Sequence, residues 1–186
     1  MEAVKKFQIS KITKIILISI VGTLLLTLSA KIKIPFYPVP MTMQTFVVLL
    51  IGITLGKKVG MFTVGLYLLE GIVGLPVFAN SPEKGIGLVY FTGPTMGYLI
   101  GFLIAAYFSS SFQYNKGIIN TFLKLLFSVS FIYLAGLIWL GILIGWDKPL
   151  FKLGAQPFLI AELFKILLLS FLTINLIKIK KIIKIT

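Results

Sequence analysis

The sequence has 186 residues and contains no cysteine, no histidine and no arginine. Without cysteine there is no disulfide framework, no thiolate nucleophile and no cue to a redox compartment. Without histidine, tetrahedral zinc sites and Ser-His-Asp catalysis lose their usual residues. Acids are scarce as well: Glu2, Glu70, Glu83, Asp147 and Glu162 stand against 18 lysines, for a formal charge of +13. So basic a balance can mark a nucleic-acid binder. Here many of the lysines flank apolar runs, which is a membrane pattern, and no nucleic-acid partner is expected. Phosphate-binding loops are missing too. GITLGKK, from Gly52, has three residues between its glycines where a phosphate loop has four, and Lys58 stands where Ser or Thr belongs. GIGLVY, from Gly85, has Tyr90 in place of the last glycine of a dinucleotide fingerprint. The expectation is a chain without enzymatic chemistry, metal or bound cofactor. If it moves a solute uphill, the energy comes from a partner or an ion gradient.

What the sequence has in abundance is apolar side chains. They make up 58% of the residues, against roughly 45–50% in soluble domains. With a mean hydropathy of +1.05, the chain is too apolar for a water-facing surface of its own. It reads as an all-α integral membrane protein in contact with membrane lipid. The first apolar run, from Ile12 to Ala30, has a basic leader but exceeds a signal-peptide core and continues into a Pro-rich turn, so it is read as a span. Apolar runs separated by Lys, Gly, Pro and Asn predict six transmembrane helices, near 12–30, 42–56, 59–74, 94–110, 118–144 and 156–178. The second and third are short for a 30 Å hydrocarbon core, which is tolerable where protein surrounds them. No fixed-period repeat or domain boundary is visible, so residues 1–186 are expected to form a single bundle.

Six spans put both termini on one side, and the positive-inside rule selects which. One set of connecting segments holds Lys5, Lys6, Lys11, Lys14, Lys57, Lys58, Lys116, Lys178, Lys180, Lys181 and Lys184. The opposite set holds Lys31, Lys33, Lys84, Lys148 and Lys152. The excess on the first set predicts cytoplasmic termini in a plasma membrane. The connectors 31–41, 75–93 and 145–155 then face outward and are expected to fold as a lid over the outer helix ends.

Small residues form stripes. Gly93, Gly97 and Gly101 recur every four residues, and Gly52 with Gly56 and Gly141 with Gly145 repeat the spacing more weakly; close helix packing is the plainer reading. On the first helix Ser19, Thr23 and Thr27 recur at the same spacing beside Gly22, a face that suits docking of another helix, inside this chain or on a partner. Pro35, Pro38 and Pro40 end the first helix, Thr42 is placed to cap the second, and Gln44 and Thr45 fall in its first turns. The outer loop adds Phe78, Asn80, Tyr90 and Phe91 to the same side.

The sharpest anomaly is PFLIAELFKILL, from Pro157, which sets Glu162 and Lys165 inside an apolar run. Each charge costs roughly 2.5–3.5 kcal/mol at a helix centre. At about 1.5 Å per residue, Glu162 lies about 7 to 8 Å and Lys165 about 12 Å below the outer end of the last helix. Lys165 is then about 20 Å from the inner end, beyond the reach of snorkelling. Three residues apart, the two share a face and can pair. Intramembrane charges also line solute pathways. Glu70 is a third buried-looking acid, placed to pair with Lys165 or to sit near an interface.

Together, IPFYPVPMTMQTF, GLPVFA, GPTMGYLIGF and PFLIAELFK resemble the BioY family in order and spacing over nearly the whole chain. The resemblance implies a six-helix substrate component of an energy-coupling-factor vitamin transporter. Such a component binds biotin from outside and works with a coupling membrane protein and two ATPase subunits that use ATP. It implies a pocket in which Asn80, Gln44 and Glu162 serve the ureido group and Phe78, Tyr90 and Trp139 supply walls. Lys165 would meet the carboxylate or orient Glu162. It also shifts the small face of Ser19, Gly22, Thr23 and Thr27 toward docking the coupling protein. The family has an Asp where this chain has Glu162, and Pro-Gly where it has Ile160 and Ala161. The alternatives are a solitary ion-coupled carrier with Glu70 or Glu162 as its proton site, a substrate component for another vitamin, and a membrane assembly protein without a small ligand.

Overall fold

The computed structural model describes residues 11–114 and 117–183, with side chains through Thr173 and at Leu176. Of the lysines counted above, Lys5, Lys6, Lys116 and Lys184 lie outside the described residues, as do the side chains of Lys178, Lys180 and Lys181. The residues that resist helix formation set the order of elements. Helix α1 (Lys11–Lys31) stops before the Pro-rich connector. That connector makes one small antiparallel pair, β1 (Lys33–Ile34) with β2 (Met41–Thr42), in which Lys33 faces Thr42 and Ile34 faces Met41. Helix α2 (Gln44–Ile72) starts one residue later than a Thr42 cap requires: Met43 holds the N-cap position without a side-chain cap bond, and Thr42 Oγ1 accepts instead from the backbone N–H of Gln44 (3.3 Å).

Where two separate helices were expected, α2 is continuous except at Gly56, whose φ of 74° and ψ of −179° no L side chain adopts comfortably. This one residue reverses the chain. The side chains of Gln44 and Tyr67 would lie about 34 Å apart along a straight helix, yet they are hydrogen-bonded at 2.7 Å. The arms 44–55 and 57–72 form a hairpin, and Lys57 and Lys58 sit exposed in the first turn of the second arm instead of in a linker. The arms meet through glycine: a Cβ on Gly60 would stand 3.4 Å from the Ile51 carbonyl and 3.5 Å from the Gly52 Cα.

Helix α3 (Met96–Ser111) follows a 3-10 turn over Gly87–Thr92. Helix α4 (Ile118–Ile144) has the bounds read from sequence. A short helix not foreseen, α5 (Leu150–Gly154), and the turn Gln156–Phe158 lead into α6 (Leu159–Ile183). Among the described residues four helical stretches are long and apolar enough to cross a membrane, and α3 is shorter. Counting α2 as its two arms and setting aside the five-residue α5, six helical segments make up the bundle among the described residues. α2 is its centre, with 56% of its most apolar window buried against 28–33% for the other three long spans. This explains how arms of about 18 and 24 Å survive in an apolar setting: neighbouring helices, more than lipid, surround them.

The glycine stripe on α3 lies against α4 backbone to backbone. A Cβ on Gly101 would stand 2.6 Å from the Ile132 Cα, and one on Gly97 would collide with the Ala135 carbonyl and the Trp139 Cβ. The small face of α1 is also filled from within. Ser19, Gly22 and Thr23 are buried, the Thr63 hydroxyl donates to Ser19 Oγ (3.1 Å), and Gly22 leaves room only for the Thr63 methyl. Thr27, half-buried, donates to the Thr23 carbonyl (2.9 Å). In this chain the internal contact is made, and the outward face of α1 is Leu24, Leu25 and Leu28.

The connectors after α1, after the second arm of α2 and after α4 gather at one end of the bundle. Below them, toward Gly56, the helices close on a mainly apolar core that includes Leu49, Ile53, Leu125, Val129 and Leu169.

Candidate functional site

At the connector end lies a narrow chamber with about 50 Å³ of open interior, below the roughly 300–1,000 Å³ usual for small-molecule sites, so a ligand larger than a few waters requires its walls to part. Each of the three connectors contributes wall: Val39 to Thr42 from the first, Ala79 and Tyr90 from the second, Phe158 from the third. The helices supply Gln44 and Thr45 from α2, Tyr98 and Phe102 from α3, Tyr133 from α4, and Glu162 and Lys165 from α6. The lid expected from sequence is thus the upper wall of this chamber.

Its polar centre is the pair that stood out in the sequence. Glu162 is 3% exposed and Lys165 8%, and their side chains meet at 2.8 Å. One helical turn places them on the same face, and α2 supplies what a charged pair inside an apolar bundle requires. Lys165 Nζ donates to Thr45 Oγ1 (2.7 Å), the Thr42 carbonyl (3.1 Å) and Glu162 Oε2. An ammonium has three N–H groups, so all of them are spent. Glu162 Oε2 in turn accepts from Lys165, from Thr45 Oγ1 (3.0 Å) and from the Tyr133 hydroxyl (2.9 Å). Glu162 Oε1 is buried and has no hydrogen-bond partner among the described residues. A buried carboxylate oxygen without a donor is costly, and here it belongs to a residue of the chamber wall. The arrangement can accept an N–H group from a ligand, with the opposite oxygen held by three donors from three helices.

Around this centre the wall is aromatic. Tyr98 stands edge-on to Tyr133 with ring centroids 6.2 Å apart, and Tyr133 faces Phe158 at 6.4 Å. The Tyr98 hydroxyl donates to the Gly154 carbonyl (2.8 Å), tying α3 to α5 and fixing the ring. On the opposite side Gln44 Nε2 donates to the Tyr67 hydroxyl, which donates to the Val77 carbonyl (3.0 Å), while Gln44 Oε1 accepts from Thr42 Oγ1 (3.2 Å). This leaves Gln44 with a second amide hydrogen beside the chamber. Tyr90 lies outside the helices, and burial lifts its hydroxyl above the ordinary tyrosine value, so it remains protonated and neutral.

Of the residues expected at the site, Gln44, Tyr90, Glu162 and Lys165 come together on the chamber wall. Phe78, Asn80 and Trp139 stand outside its lining. Phe78 packs behind Tyr90 with ring centroids 4.7 Å apart, Asn80 Oδ1 accepts from Lys33 Nζ (3.2 Å), and the Trp139 indole N–H donates to the Gly93 carbonyl (2.9 Å). Lys165 turns to Glu162 and not to Glu70, which is half-buried and has no ion-pair partner among the described residues. Sequence reasoning passed over Tyr133, Tyr98 and Phe158 and gave Thr45 only a capping or interhelical part. The one signal for Tyr133 is a phenol among aliphatic residues in the middle of an apolar helix.

This architecture has counterparts among known proteins. The model of the BioY family matches residues 2–182. The probable biotin transporter BioY of Pyrococcus horikoshii is 36% identical over 141 residues, covering 76% of this chain and 82% of that one. The biotin transporter BioY of Thermotoga maritima is 35% identical over 159 residues, covering 85% and 92%. A solved crystal structure, the S-component for biotin from an ECF-type ABC transporter, superposes with a TM-score of 0.75 at 26% identity and 95% coverage of both chains. These relatives are named as transporters, not enzymes. With the family model spanning nearly every residue and the same fold found in a solved relative, the chain belongs to the BioY family.

Proposed function

We propose that this chain is the biotin-binding component of a membrane vitamin transporter, taking its ligand into the chamber beneath the three connectors. The observation that carries the reading is the orphan oxygen of Glu162. Biotin's ureido ring presents N–H donors and one carbonyl, and a buried carboxylate oxygen with a free lone pair suits the donor. Gln44, with its unused amide hydrogen, suits the carbonyl. Tyr98, Tyr133 and Phe158 give the thioether ring an apolar bed. With its three hydrogens committed, Lys165 orients Glu162 and does not reach for the ligand's carboxylate, which is left to face the chamber mouth and water.

The names of the relatives support the ligand and the transporter class. Uptake is inward and needs a coupling membrane protein with ATPase subunits, since the sequence offers no phosphate loop of its own. The lysine asymmetry supports a plasma-membrane chain with cytoplasmic termini and an outward chamber.

The test is calorimetric titration of biotin into the detergent-purified protein and its Glu162→Gln variant. In the variant the three donors on Oε2 capture the amide oxygen, turning an N–H donor toward the ligand's own donor. Loss of one charge-assisted hydrogen bond, about 1.5–3 kcal/mol, raises the Kd about 10- to 100-fold. A change of under about twofold would remove Glu162 from the binding site. No saturable biotin binding by the wild type at micromolar concentration would remove the biotin reading altogether.

A further inference from the structure

The roof segment 78–83 lies at the chamber, where it supplies Ala79 to the wall and backs Tyr90, yet it contains no helix or strand. Its internal bonds make a compact turn: the amide and hydroxyl of Ser81 both donate to the Phe78 carbonyl (3.2 and 2.8 Å), and the amides of Lys84 and Gly85 donate to the carbonyls of Asn80 and Pro82 (2.7 and 2.9 Å). None of these bonds ties the turn to the bundle. The Asn80 amide donates to the Tyr90 hydroxyl (3.4 Å) and the buried Phe78 ring packs on Tyr67 of α2; the remaining polar ties come from two cations, Lys31 at the end of α1 and Lys33 in β1. Lys31 Nζ donates to the carbonyls of Phe78 (2.9 Å) and Ser81 (2.8 Å). Lys33 Nζ donates to the Ala79 carbonyl (2.8 Å), Asn80 Oδ1 (3.2 Å) and Glu83 Oε2 (3.2 Å). Five acceptors within six residues thus converge on two ammonium groups. The salt bridge to Glu83, itself 71% exposed, is the weakest of the five contacts, because solvent screens it. The bonds to the backbone carbonyls of Ala79 and Ser81 are stronger, since among the described residues only the lysines donate to these two groups.

We propose that Lys31 and Lys33 are positioning residues for ligand retention: they latch segment 78–83 to the end of α1 and to β1 and so hold the chamber roof in place without touching the ligand. Which ligand is retained rests on the biotin reading above; the latch itself does not. Because the chamber forms beneath the roof, loosening the latch speeds ligand escape more than it slows capture.

The absence of cysteine from the sequence permits a clean test. Lys31→Met, Lys33→Met and Lys33→Cys are each purified, and their folding is checked by helical circular dichroism. Biotin association and dissociation rates are then measured alongside amide exchange at Asn80, Ser81, Lys84 and Gly85 without ligand. The expected result is dissociation about tenfold faster or more in each variant, matching loss of at least one charge-assisted bond, with association within about threefold. Exchange at the four amides rises. Aminoethylation of Lys33→Cys, which rebuilds an ammonium at nearly lysine length, restores both values, whereas a neutral alkylating reagent of similar size does not. Unchanged dissociation and unchanged exchange overturn the latch, as does equal rescue by the neutral reagent. If the wild type binds no biotin, the ligand reading fails on its own, and exchange in the ligand-free variants still decides the latch.

Discussion

Replacing Lys165 with methionine removes an ammonium that holds three acceptors: a backbone carbonyl, a threonine hydroxyl and the Glu162 carboxylate at 2.8 Å. Methionine fills much the same space, so the change is mainly electrostatic. Glu162 is 3% exposed and would keep only the hydroxyls of Thr45 and Tyr133, too little to compensate a charge in an apolar bundle. Breaking a buried pair from one side costs about 3–5 kcal/mol, and Glu162→Gln alone leaves Lys165 in the mirror situation at similar cost. The double variant Glu162→Gln/Lys165→Met leaves no charge behind, keeps volume and keeps the two bonds from Thr45 and Tyr133, losing the three that Lys165 makes. Its expected loss is under about 2 kcal/mol, in line with neutral replacements of buried pairs. Unfolding in mixed micelles, followed by the fluorescence of Trp139 and Trp146, yields all four corners of the cycle. The coupling between the two positions is expected to exceed about 2 kcal/mol, whereas independent sites agree within about 0.3–0.5 kcal/mol. Additive single losses would refute the claim that Lys165 is spent on Glu162.

Two smaller perturbations follow from the same contacts. Tyr133→Phe removes one donor from Glu162 Oε2 while keeping the ring against Tyr98 and Phe158; a bond to a charged group is worth about 1.5–3 kcal/mol, and with part of that passed on to the ligand, biotin affinity measured by calorimetry should fall about three- to tenfold while helical content is unchanged. Gly56→Ala places a side chain at a backbone conformation of φ 74° and ψ −179°; strain of about 1–3 kcal/mol should lower the unfolding midpoint in detergent, and an unchanged midpoint would mean that the hairpin turns elsewhere.

Legibility in the sequence was uneven for physical reasons. Helix α4 was read to the residue because a mostly apolar run sits between two glycines, Gly117 and Gly145, both with positive φ. The hairpin in α2 was read as two helices, correctly in number, but with the lysine pair as the break. Lysines flanking an apolar run mark where it leaves the hydrocarbon, whereas the reversal itself needs only one glycine. Glu162 and Lys165 announced themselves because charge in an apolar run is expensive. Tyr133 and Phe158 did not, since an aromatic among aliphatic residues looks the same whether it faces a ligand, a helix or lipid. Nor could sequence tell that the α1 small face would be taken by Thr63, because that partner is 44 residues from Ser19 and nothing local pairs them. Phe78, Asn80 and Trp139 were singled out by residue type, and their neighbours, not their chemistry, place them one layer behind the wall.

The apolar core between the chamber and Gly56 bears on how a solute crosses. Leu49 lies one helical turn deeper than the lining residue Thr45, Val129 nearly one turn deeper than Ile132, and Leu169 one turn deeper than Lys165; all three are essentially inaccessible to solvent. The chain is therefore a cup and not a pipe. On the reading proposed above, a solute settled against Glu162 finds the described residues packed shut along the bundle axis.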